Sequence, residues 1–574
     1  MKRSVLARAG IVLLFTLAVC TAAAHAAAPA CTLQWDPTFG VPTTPGVAEA
    51  IVRAFTEYQG FLIVGGGFSA LAGSPFSSAA AWDPMTATWI DMSFTNCAGG
   101  AQPVAALAVY QGELYAGGVF DWTPLPVCDL MGVCVESLKV TGILARWKPG
   151  IGNCQLPLGG KVTQIGNWER IVGANIDPEA AAAVRALAVY PDGSGEKLYV
   201  GGHIPPLAGS GDPARNLFAW NGFGWDNVGD GVAGESSGPA DAPGVWDLLA
   251  VPLGEGPDPG LYDAGQFSAA LYNGGSEEPL TRGIARWDGS SWYTVGGGLD
   301  PDTLQCPPAS ALVAAAAKGR VGPIGDDDGP GPQPVPCVPH VGALELFDGG
   351  LGPRLYAGGR FRDVGGVGVP SELAKGLPGS AIAVNNLAAW DGSGWQAVGT
   401  PPNDGVIGEV AALEMMEGAS SLAVAGQFST AGSSPASNVA RWDGLGWSPL
   451  NGGLDPDGIL RCSYDNGNSV EALWSFGSGT DEYLYAGGPF DNASNPPDPA
   501  FVAFGAARWG CTLTCPGDVD FNDTVNITDW LAILAAWGPC PPCPASCPAD
   551  VDADGTVGIL DLLIAEANWG ACPT

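Results

Sequence analysis

The chain is written in short apolar runs, each closed by glycines and followed by polar turn residues. One form of the run recurs seven times: Leu62-Ile-Val-Gly-Gly-Gly-Phe68, Leu114-Tyr-Ala-Gly-Gly-Val-Phe120, Leu198-Tyr-Val-Gly-Gly-His-Ile204, Leu261-Tyr-Asp-Ala-Gly-Gln-Phe267, Leu355-Tyr-Ala-Gly-Gly-Arg-Phe361, Leu422-Ala-Val-Ala-Gly-Gln-Phe428 and Leu484-Tyr-Ala-Gly-Gly-Pro-Phe490. Most copies are followed by a second signature such as Ile284-Ala-Arg-Trp-Asp-Gly-Ser-Ser-Trp292. A unit repeated this often predicts a repeat architecture.

The copy that begins near Val184 shows what the unit contains. Arg185 to Tyr190 is an apolar run, Pro191 to Gly195 is turn chemistry, and Lys197 to Gly202 is a second run. Leu217 to Trp220 and Trp225 to Val228 follow, parted by Asn221-Gly-Phe-Gly. Four short strands between Gly, Asp and Asn turns read as an antiparallel meander. The last turn is Asp-Gly at Asp288-Gly289, Asp391-Gly392 and Asp443-Gly444, a pair that accepts the positive φ of tight hairpins.

One such sheet cannot bury both of its faces. Seven packed around an axis can, and closing the ring leaves only short protected edges. The predicted fold is therefore all-β, a seven-bladed β-propeller of four-stranded antiparallel blades. The paired glycines allow neighbouring backbones to approach closely near the axis. The Tyr and Phe beside them fill the space between blades. The Trp pairs Trp287/Trp292, Trp390/Trp395 and Trp442/Trp447 read as blade core, with stacking on sugars as the lesser alternative.

The motif starts lie 52, 84, 63, 94, 67 and 62 residues apart. The basic unit is thus about 50–60 residues, and the excess sits in insertions. Asp121 to Val140 carries Cys128 and Cys134, and Gly322 to Pro339 lies between Cys306 and Cys337. These read as loops pinned by local disulfides, the place where a rigid scaffold presents function. The seventh copy ends at Ala507-Arg-Trp509 without a fourth strand. Leu33-Gln-Trp-Asp-Pro-Thr-Phe39 resembles the missing one, so the N-terminal segment is expected to complete the last blade. A Cys31–Cys511 bridge would fit that closure.

Composition sharpens the picture. The 574 residues include 86 Gly and 50 Pro, a richness that elsewhere accompanies disorder. Here the glycines fall at repeated places and 20 Trp need burial, so a folded chain is expected. Residues 1–26 have the form of a signal peptide. Lys2, Arg3 and Arg8 precede the apolar Ile11 to Val19, and Ala24-His-Ala26 supplies small residues for cleavage. No other stretch is long and apolar enough to cross a membrane. Cleavage removes three basic residues and no acidic ones, which takes the formal charge from −35 to −38. Such a chain is a poor partner for nucleic acid and a good one for cations. The 15 Cys become 14, an even number that in an exported chain points to disulfides.

The stretch from about Cys31 to Trp509, within an expected domain of residues 27–510, resembles kelch-like and related bacterial extracellular propeller repeats. Leu-Tyr-Ala-Gly-Gly and Ala-Arg-Trp-Asp-Gly carry the resemblance. These are fold signatures and bring no chemistry with them. The copper oxidases among kelch-like folds need several His, Tyr and a Cys, whereas only His203 and His340 remain after cleavage. The Asp-box of sialidase propellers is not visible.

After Gly510 the pattern changes, and residues 511–574 read as a separate module. Cys515, Asp518, Asp520, Asn522, Thr524, Asp529, Trp537 and Cys540 recur 32 residues later as Cys547, Asp550, Asp552, Asp554, Thr556, Asp561, Trp569 and Cys572. Hard oxygen ligands at loop positions 1, 3, 5, 7 and 12 are what Ca²⁺ requires. Two EF-hand-like loops follow. Asp518, Asp520, Asn522, Thr524 and Asp529 form one, with Asp523 at the place of the usual Gly. Asp550, Asp552, Asp554, Thr556 and Asp561 form the other, with Gly555 at the turn. Each loop opens an apolar helix, and the two units are expected to pack on each other. The cysteines allow Cys515–Cys540 with Cys547–Cys572, or a crossed pairing.

This module resembles a type I dockerin over residues 515–572. The resemblance implies two bound Ca²⁺ and a protein partner, a cohesin-like domain or a cell-surface component. Cellulosomal dockerins commonly carry a hydroxyl pair just before the closing Asp, where this chain has Ile527-Thr528 and Ile559-Leu560. The sequence carries no catalytic motif. It supports a secreted, non-catalytic binding or adhesion protein. The alternative is an enzyme on polysaccharide, a glycoside hydrolase or lyase, with paired carboxylates and a dockerin tag. Two facing carboxylates in a pocket at the ring mouth would favour the enzyme.

Overall fold

The computed structural model describes residues 32–36, 51–69, 76–84, 88–94, 102–121, 141–155, 161–171, 182–207, 214–233, 244–272, 281–300, 340–365, 382–416, 420–454, 469–477, 482–490, 492–495, 501–503, 505–512, 524–539, 556–567 and 569–571, with short stretches between them. The signal segment, Cys31, Cys306, Cys337, Gly322 to Pro339 and the paired cysteines of the C-terminal module lie outside the described residues. The chain divides into two compact units, Leu33–Thr512 and one that includes Leu513–Thr574. Among the described residues no helix is long and apolar enough to cross a membrane.

The first unit holds seven four-stranded antiparallel sheets. Blade 1 is Ile51–Tyr58, Phe61–Gly67, Ala79–Asp83 and Thr88–Asp91. Blades 2 to 6 repeat the meander, with innermost strands Val104–Tyr110, Ala183–Pro191, Gly244–Val251, His340–Phe347 and Val406–Met416. Blade 7 takes three strands from Ala472–Phe476, Tyr483–Gly487 and Ala506–Thr512, and its fourth is Thr32–Trp35 from the other end of the chain. Each innermost strand touches the next, and Ala472–Phe476 returns to Ile51–Tyr58, so the sheets form a closed seven-bladed propeller.

The glycine motif sets how the blades meet. A Cβ on Gly65 would lie 2.6 Å from Val104 of the next blade, and one on Gly487 would lie 2.6 Å from Val52, across the ring junction. The first glycine thus makes room for a neighbouring side chain, rather than for the neighbouring backbone that the sequence suggested. The second glycine answers a different demand. A Cβ on Gly66 or Gly202 would lie 2.1 or 2.0 Å from a carbonyl of its own innermost strand. There the register slips by one residue in blades 1 to 6, as between Val52 and Ala54 or Val184 and Ala186. A β-bulge re-aims the extra side chain.

The Trp pairs are blade core. Trp287 and Trp292 stand 5.1 Å apart, Trp390 and Trp395 5.6 Å, and Trp442 and Trp447 5.3 Å, all tilted. Several outer-strand indoles also donate to a carbonyl of the preceding blade: Trp168 to Met92, Trp395 to Val295 and Trp447 to Val398. The connection between these strands is a four-residue loop. Asp288 Oδ1 accepts the amides of Ser290 and Ser291, and only Gly289 takes the positive φ.

Closure uses the same devices. Trp35 is fully buried and its indole donates to the Leu450 carbonyl at 3.1 Å. Asn495 clamps the Trp35 backbone on both sides, at 2.9 and 2.8 Å. Arg508 pairs with Asp36 and lies 4.6 Å above the ring of Tyr483.

One core position breaks the pattern. The third residue of the motif is Val64, Val200 or Val424, or Ala116, Ala357 or Ala486, but in blade 4 it is Asp263. This side chain is fully buried and neither carboxylate oxygen has a hydrogen-bond partner. Burial pushes its carboxyl well above the usual range.

Two stability changes follow. Trp35→Ala should cost about 3–5 kcal/mol, the range for emptying a large aromatic site, and deleting residues 27–40 should lower the thermal midpoint further. An unchanged midpoint for the deletion would refute closure by this strand. Asp263→Ala or Asp263→Val should raise stability by about 1–3 kcal/mol, because an unpaired buried polar group is removed. Denaturant unfolding measures it, and a destabilised pair of variants would show that the acid has an unseen partner.

Candidate functional site

Each innermost strand starts on one face of the ring, and the bulge lies at that start. In an antiparallel meander the second-to-third-strand and blade-to-blade connections lie on this same face, with the tight turns on the other. The skipped residues are Arg53, Ala105, Arg185, Trp246, Gly342 and Ala411, and Glu471 holds the equivalent place in blade 7. They gather at the mouth of the axial channel. Arg53 Nε meets Glu471 Oε2 at 3.2 Å, and the Arg185 guanidinium lies 4.6 Å over the Trp246 ring. The Trp246 and His340 rings are 4.0 Å apart. His340 Nε2 is 3.0 Å from Glu409 Oε1, and Arg360 binds the other oxygen of Glu409.

Six of the seven blades contribute to this belt, and its carboxylates differ. Burial works to raise Glu409, but His340 and Arg360 outweigh it and hold the carboxyl down at about 2. Burial raises Glu471, and Arg53 and Arg185 only partly offset it.

Deeper along the innermost strands stand Asp247, Glu345 and Glu414. Asp247 Oδ2 accepts the amide of Leu344 in blade 5 at 2.7 Å, and Glu414 Oε1 accepts that of Ser475 in blade 7 at 2.8 Å. Both tie one blade to the next. Burial pushes Asp247 up to about 6 against its two amide hydrogen bonds. Burial also raises Glu345 and Glu414, and each adds to the other or to a further acid: Asp247 raises Glu345, and Glu345 and Glu482 raise Glu414.

A separate recess of about 40 Å³ lies between blades 5 and 6, lined by Arg354, Tyr356 and Trp442. It has space for little more than a few waters, so the mouth is the stronger candidate.

The second unit contains helices α1 (Ile527–Ala535) and α2 (Ile559–Ala567). Thr524–Val525 pairs with Gly570–Ala571, and Thr556–Val557 pairs with Gly538–Pro539, so each repeat completes the other. Val525, Ile533, Val557, Leu562 and Ala565 form the core between them. The closing carboxylates are fully buried. Asp529 accepts the amides of Val519 and Asn526 at 2.8 Å, and Asp561 those of Val551 and Gly558 at 2.6 Å. Each is thereby turned back onto its own loop. A carboxylate has about four lone-pair sites, so two amides leave capacity for a cation. Thr524 and Thr556 stand in the short strands that lead into the helices. These four residues fit a calcium loop. Asp518, Asp520, Asn522, Asp550, Asp552 and Asp554 lie outside the described residues.

Sequence reasoning missed the mouth, although a signal exists. In Val52-Arg-Ala-Phe55, Val184-Arg-Ala-Leu187, Val245-Trp-Asp-Leu248 and Val470-Glu-Ala-Leu473 the frame repeats while the residue after Val varies. It also missed the clamps Asn216, Asn386 and Asn438, each at positive φ ahead of a third strand. Asn386, for one, accepts the Phe361 amide and donates to the Val406 carbonyl.

Neither a family model nor a curated relative matches the chain. Among solved structures it is similar to the computationally designed Ika8 protein, at 10% identity over 83% of this chain and 99% of that one, with a TM-score of 0.30. YjhT matches at 13% identity over 70% and 96%, with a TM-score of 0.28. The extracellular domain of a hybrid two-component system from B. thetaiotaomicron matches at 12% over 78% of this chain and 46% of that one, with a TM-score of 0.19. At these scores none of them bears on the chemistry of this chain.

The channel acids predict a pH dependence. A carboxyl raised by folding favours the folded state while protonated, and this contribution is lost as pH rises through the folded value. For Asp247 that window runs from the ordinary 3.8 to about 6, and Glu345 and Glu414 extend it upward. Glu409 acts oppositely, since its contribution is lost only below 4.5, on the way to about 2. The thermal midpoint should therefore be highest near mildly acidic pH and fall toward alkaline pH. Glu345→Gln and Glu414→Gln should each flatten that fall. A midpoint that rises steadily into alkaline pH would contradict the assignment.

Proposed function

We propose that the chain is a secreted, non-catalytic binding or adhesion protein. The propeller presents its ligand-binding surface on the face that carries the channel mouth, and the C-terminal module binds two Ca²⁺ and docks or anchors the protein. The observation that carries the reading is the state of the mouth. Glu409 is already engaged by His340 and Arg360, and Glu471 by Arg53. Among the described residues the belt is ion-paired and aromatic, with Glu409 and Glu471 both committed to partners. It is built on a rigid ring, where recognition residues are best held.

The metal reading is supported by the 32-residue repeat of the loop ligands and by the burial of Asp529 and Asp561. Calcium would neutralise the crowded carboxylates of each loop and join it to its helix. The resemblance to type I dockerins supports a protein partner, cohesin-like or cell-surface. The apolar residues Leu531, Leu563, Trp537 and Trp569 are about half exposed on this unit, at 58%, 50%, 52% and 52%, which is consistent with a docking role.

One observation favours the alternative, an enzyme on polysaccharide. Glu409 is held ionised while Glu471 is raised, and environments that push two carboxyls apart are how acid and base are assigned.

Two measurements on the full chain test these readings. Calorimetric titration with Ca²⁺ should show two sites, one lost with Asp518→Asn/Asp520→Asn and the other with Asp550→Asn/Asp552→Asn. No heat of binding would overturn the metal assignment. A screen for reducing ends released from polysaccharides should be negative, and release abolished by Glu471→Gln would replace the binding reading with the enzymatic one.

A further inference from the structure

We propose that the recess between blades 5 and 6 binds a small aliphatic carboxylate, with its acid group against Arg354 and Tyr356 and its chain over Leu351 and Leu445. This site lies apart from the channel mouth and does not depend on how the mouth is read.

The joint between blades 3 and 4 supplies the reference for this place. The first hairpin of blade 3 turns from Tyr190 to Lys197, and that of blade 5 from Phe347 to Arg354, two turns of equal length closed by facing residues. Lys197 thus corresponds to Arg354, Tyr199 to Tyr356 and Asp192 to Gly349. In blade 3 the Asp192 side chain is only 7% exposed, and its Oδ2 lies 2.7 Å from Lys197 Nζ. The same oxygen accepts the Tyr199 hydroxyl at 3.2 Å. Asp226, on the outermost strand, holds Lys197 from the other side at 2.9 Å.

Blade 5 keeps the cation and the phenol but lacks both acids. Gly349 stands for Asp192, and Gln396 stands for Asp226, paired with Ala389 as Asp226 is with Ala219. The backbones agree as well. A Cβ on Gly289 of blade 4 would lie 2.3 Å from the Asp192 carbonyl, and one on Gly444 of blade 6 would lie 2.4 Å from that of Gly349. The recess therefore opens where blade 3 places a carboxylate.

What lines it suits a carboxylate from outside. Arg354 Nη1 donates to Gln396 Oε1 at 2.9 Å, and its Nε has no partner. Acids of the adjoining turns are directed at their own amides. Asp348 Oδ1 accepts those of Gly350 and Gly352, and Asp391 Oδ1 those of Ser393 and Gly394. A guanidinium and a phenol offer donors, and a charged acceptor makes the strongest bonds with them. The volume of about 40 Å³ has room for about three waters, which is the size of a carboxylate group and little more.

The rim selects what is attached to that group. Ser194 and Ser290, on the two turns of the 3–4 joint, are replaced here by Leu351 and Leu445, which are 70% and 88% exposed. Leu351 lines the recess, and Leu445 follows Gly444, which lines it too. The two turns touch, since a Cβ on Gly349 would lie 2.6 Å from the Gly444 Cα. An aliphatic chain leaving the recess covers these leucines and gains from each methylene it buries. An inorganic anion would leave them bare. The formal charge of −35 disfavours a polyanion, so a single carboxylate fits best.

The test is isothermal titration of the full chain with sodium hexanoate, sodium acetate and hexanamide. Hexanoate should bind, and neutral hexanamide of the same length should be weaker by about tenfold or more, the loss of a charge-assisted contact. Arg354→Gln should weaken hexanoate by about tenfold, and Tyr356→Phe, which keeps the ring in place, should weaken it by about threefold or more. The double variant Leu351→Ser/Leu445→Ser should remove the advantage of hexanoate over acetate and leave acetate unchanged. Arg53→Gln at the mouth should have no effect. Equal binding of hexanamide and hexanoate, or binding indifferent to Arg354→Gln, overturns the carboxylate site. Equal binding of acetate and hexanoate, with the leucine variant silent, reduces the recess to an anion hole and overturns the aliphatic class. Loss of binding with Arg53→Gln alone overturns the location, and absence of hexanoate binding overturns the inference outright. Arg354-dependent binding of the peptide Gly-Gly-Leu more tightly than hexanoate replaces the small molecule with a chain terminus and overturns the stated class.

Discussion

The propeller depends on a missing methyl group. Where Gly65, Gly117, Gly201, Gly358 and Gly487 face the next blade, a valine side chain occupies the place their Cβ would take, at 2.3–2.7 Å. The repeat of that contact fixes the spacing between sheets. Because Gly487 makes it with Val52, the last blade meets the first under the same rule as any other pair. Blades 4 and 6 carry Ala264 and Ala425 at this position. Both are fully buried, in clusters with Val341 and Val470 of the following blades. The ring therefore tolerates one methyl in two of its seven joints.

The bulge opposite the second glycine turns this scaffold into a site. In blades 1 to 6 it takes one residue out of the ladder and frees it from packing duty. Flanking Val and Leu remain under strict demand, while the freed residue can be Arg, Ala, Trp or Gly without disturbing the sheet. Scaffold and recognition thus separate at neighbouring positions of one strand. The same separation accounts for the acids deeper in the channel. Asp247 and Glu414 stand on innermost strands but hold the amides of Leu344 and Ser475 in the following blades. They spend their hydrogen-bonding capacity on joining sheets, which explains how such costly groups persist there.

The fold was legible because its signals are local and repeated. Seven glycine runs gave the blade count, turn residues gave the meander, and the unpaired Ala507-Arg-Trp509 pointed to a strand from the other terminus. The mouth was not legible in the same way. Arg53, Arg185, Trp246 and Glu471 are far apart in sequence and carry no motif, and only ring closure brings them together. Their signal was variability inside a repeated frame, which a search for shared residues passes over. The Trp pairs were read correctly as core because strand-end indoles at a fixed spacing need a common packing partner. The glycines were assigned the right place but the wrong neighbour, since sequence cannot tell whether a side chain or a backbone fills the space.

Buried Asp263 shows what repetition permits. In a single small core, an unpaired acid would consume a large share of a stability of about 5–15 kcal/mol. In a closed ring, each blade is supported on two sides, and nearest-neighbour terms add around the circle. One defective joint is carried by the six others, provided the ring stays shut. That condition places unusual weight on Trp35, Asp36, Arg508 and Asn495 at the junction. There a buried indole, an ion pair and a two-sided backbone clamp coincide at one strand. The other outer strands follow their neighbours through a short turn, so chain connectivity holds them in place. The closing strand has no such tether to blade 7. Its hold must come entirely from contacts, which is a physical reason for the density of specific interactions found there.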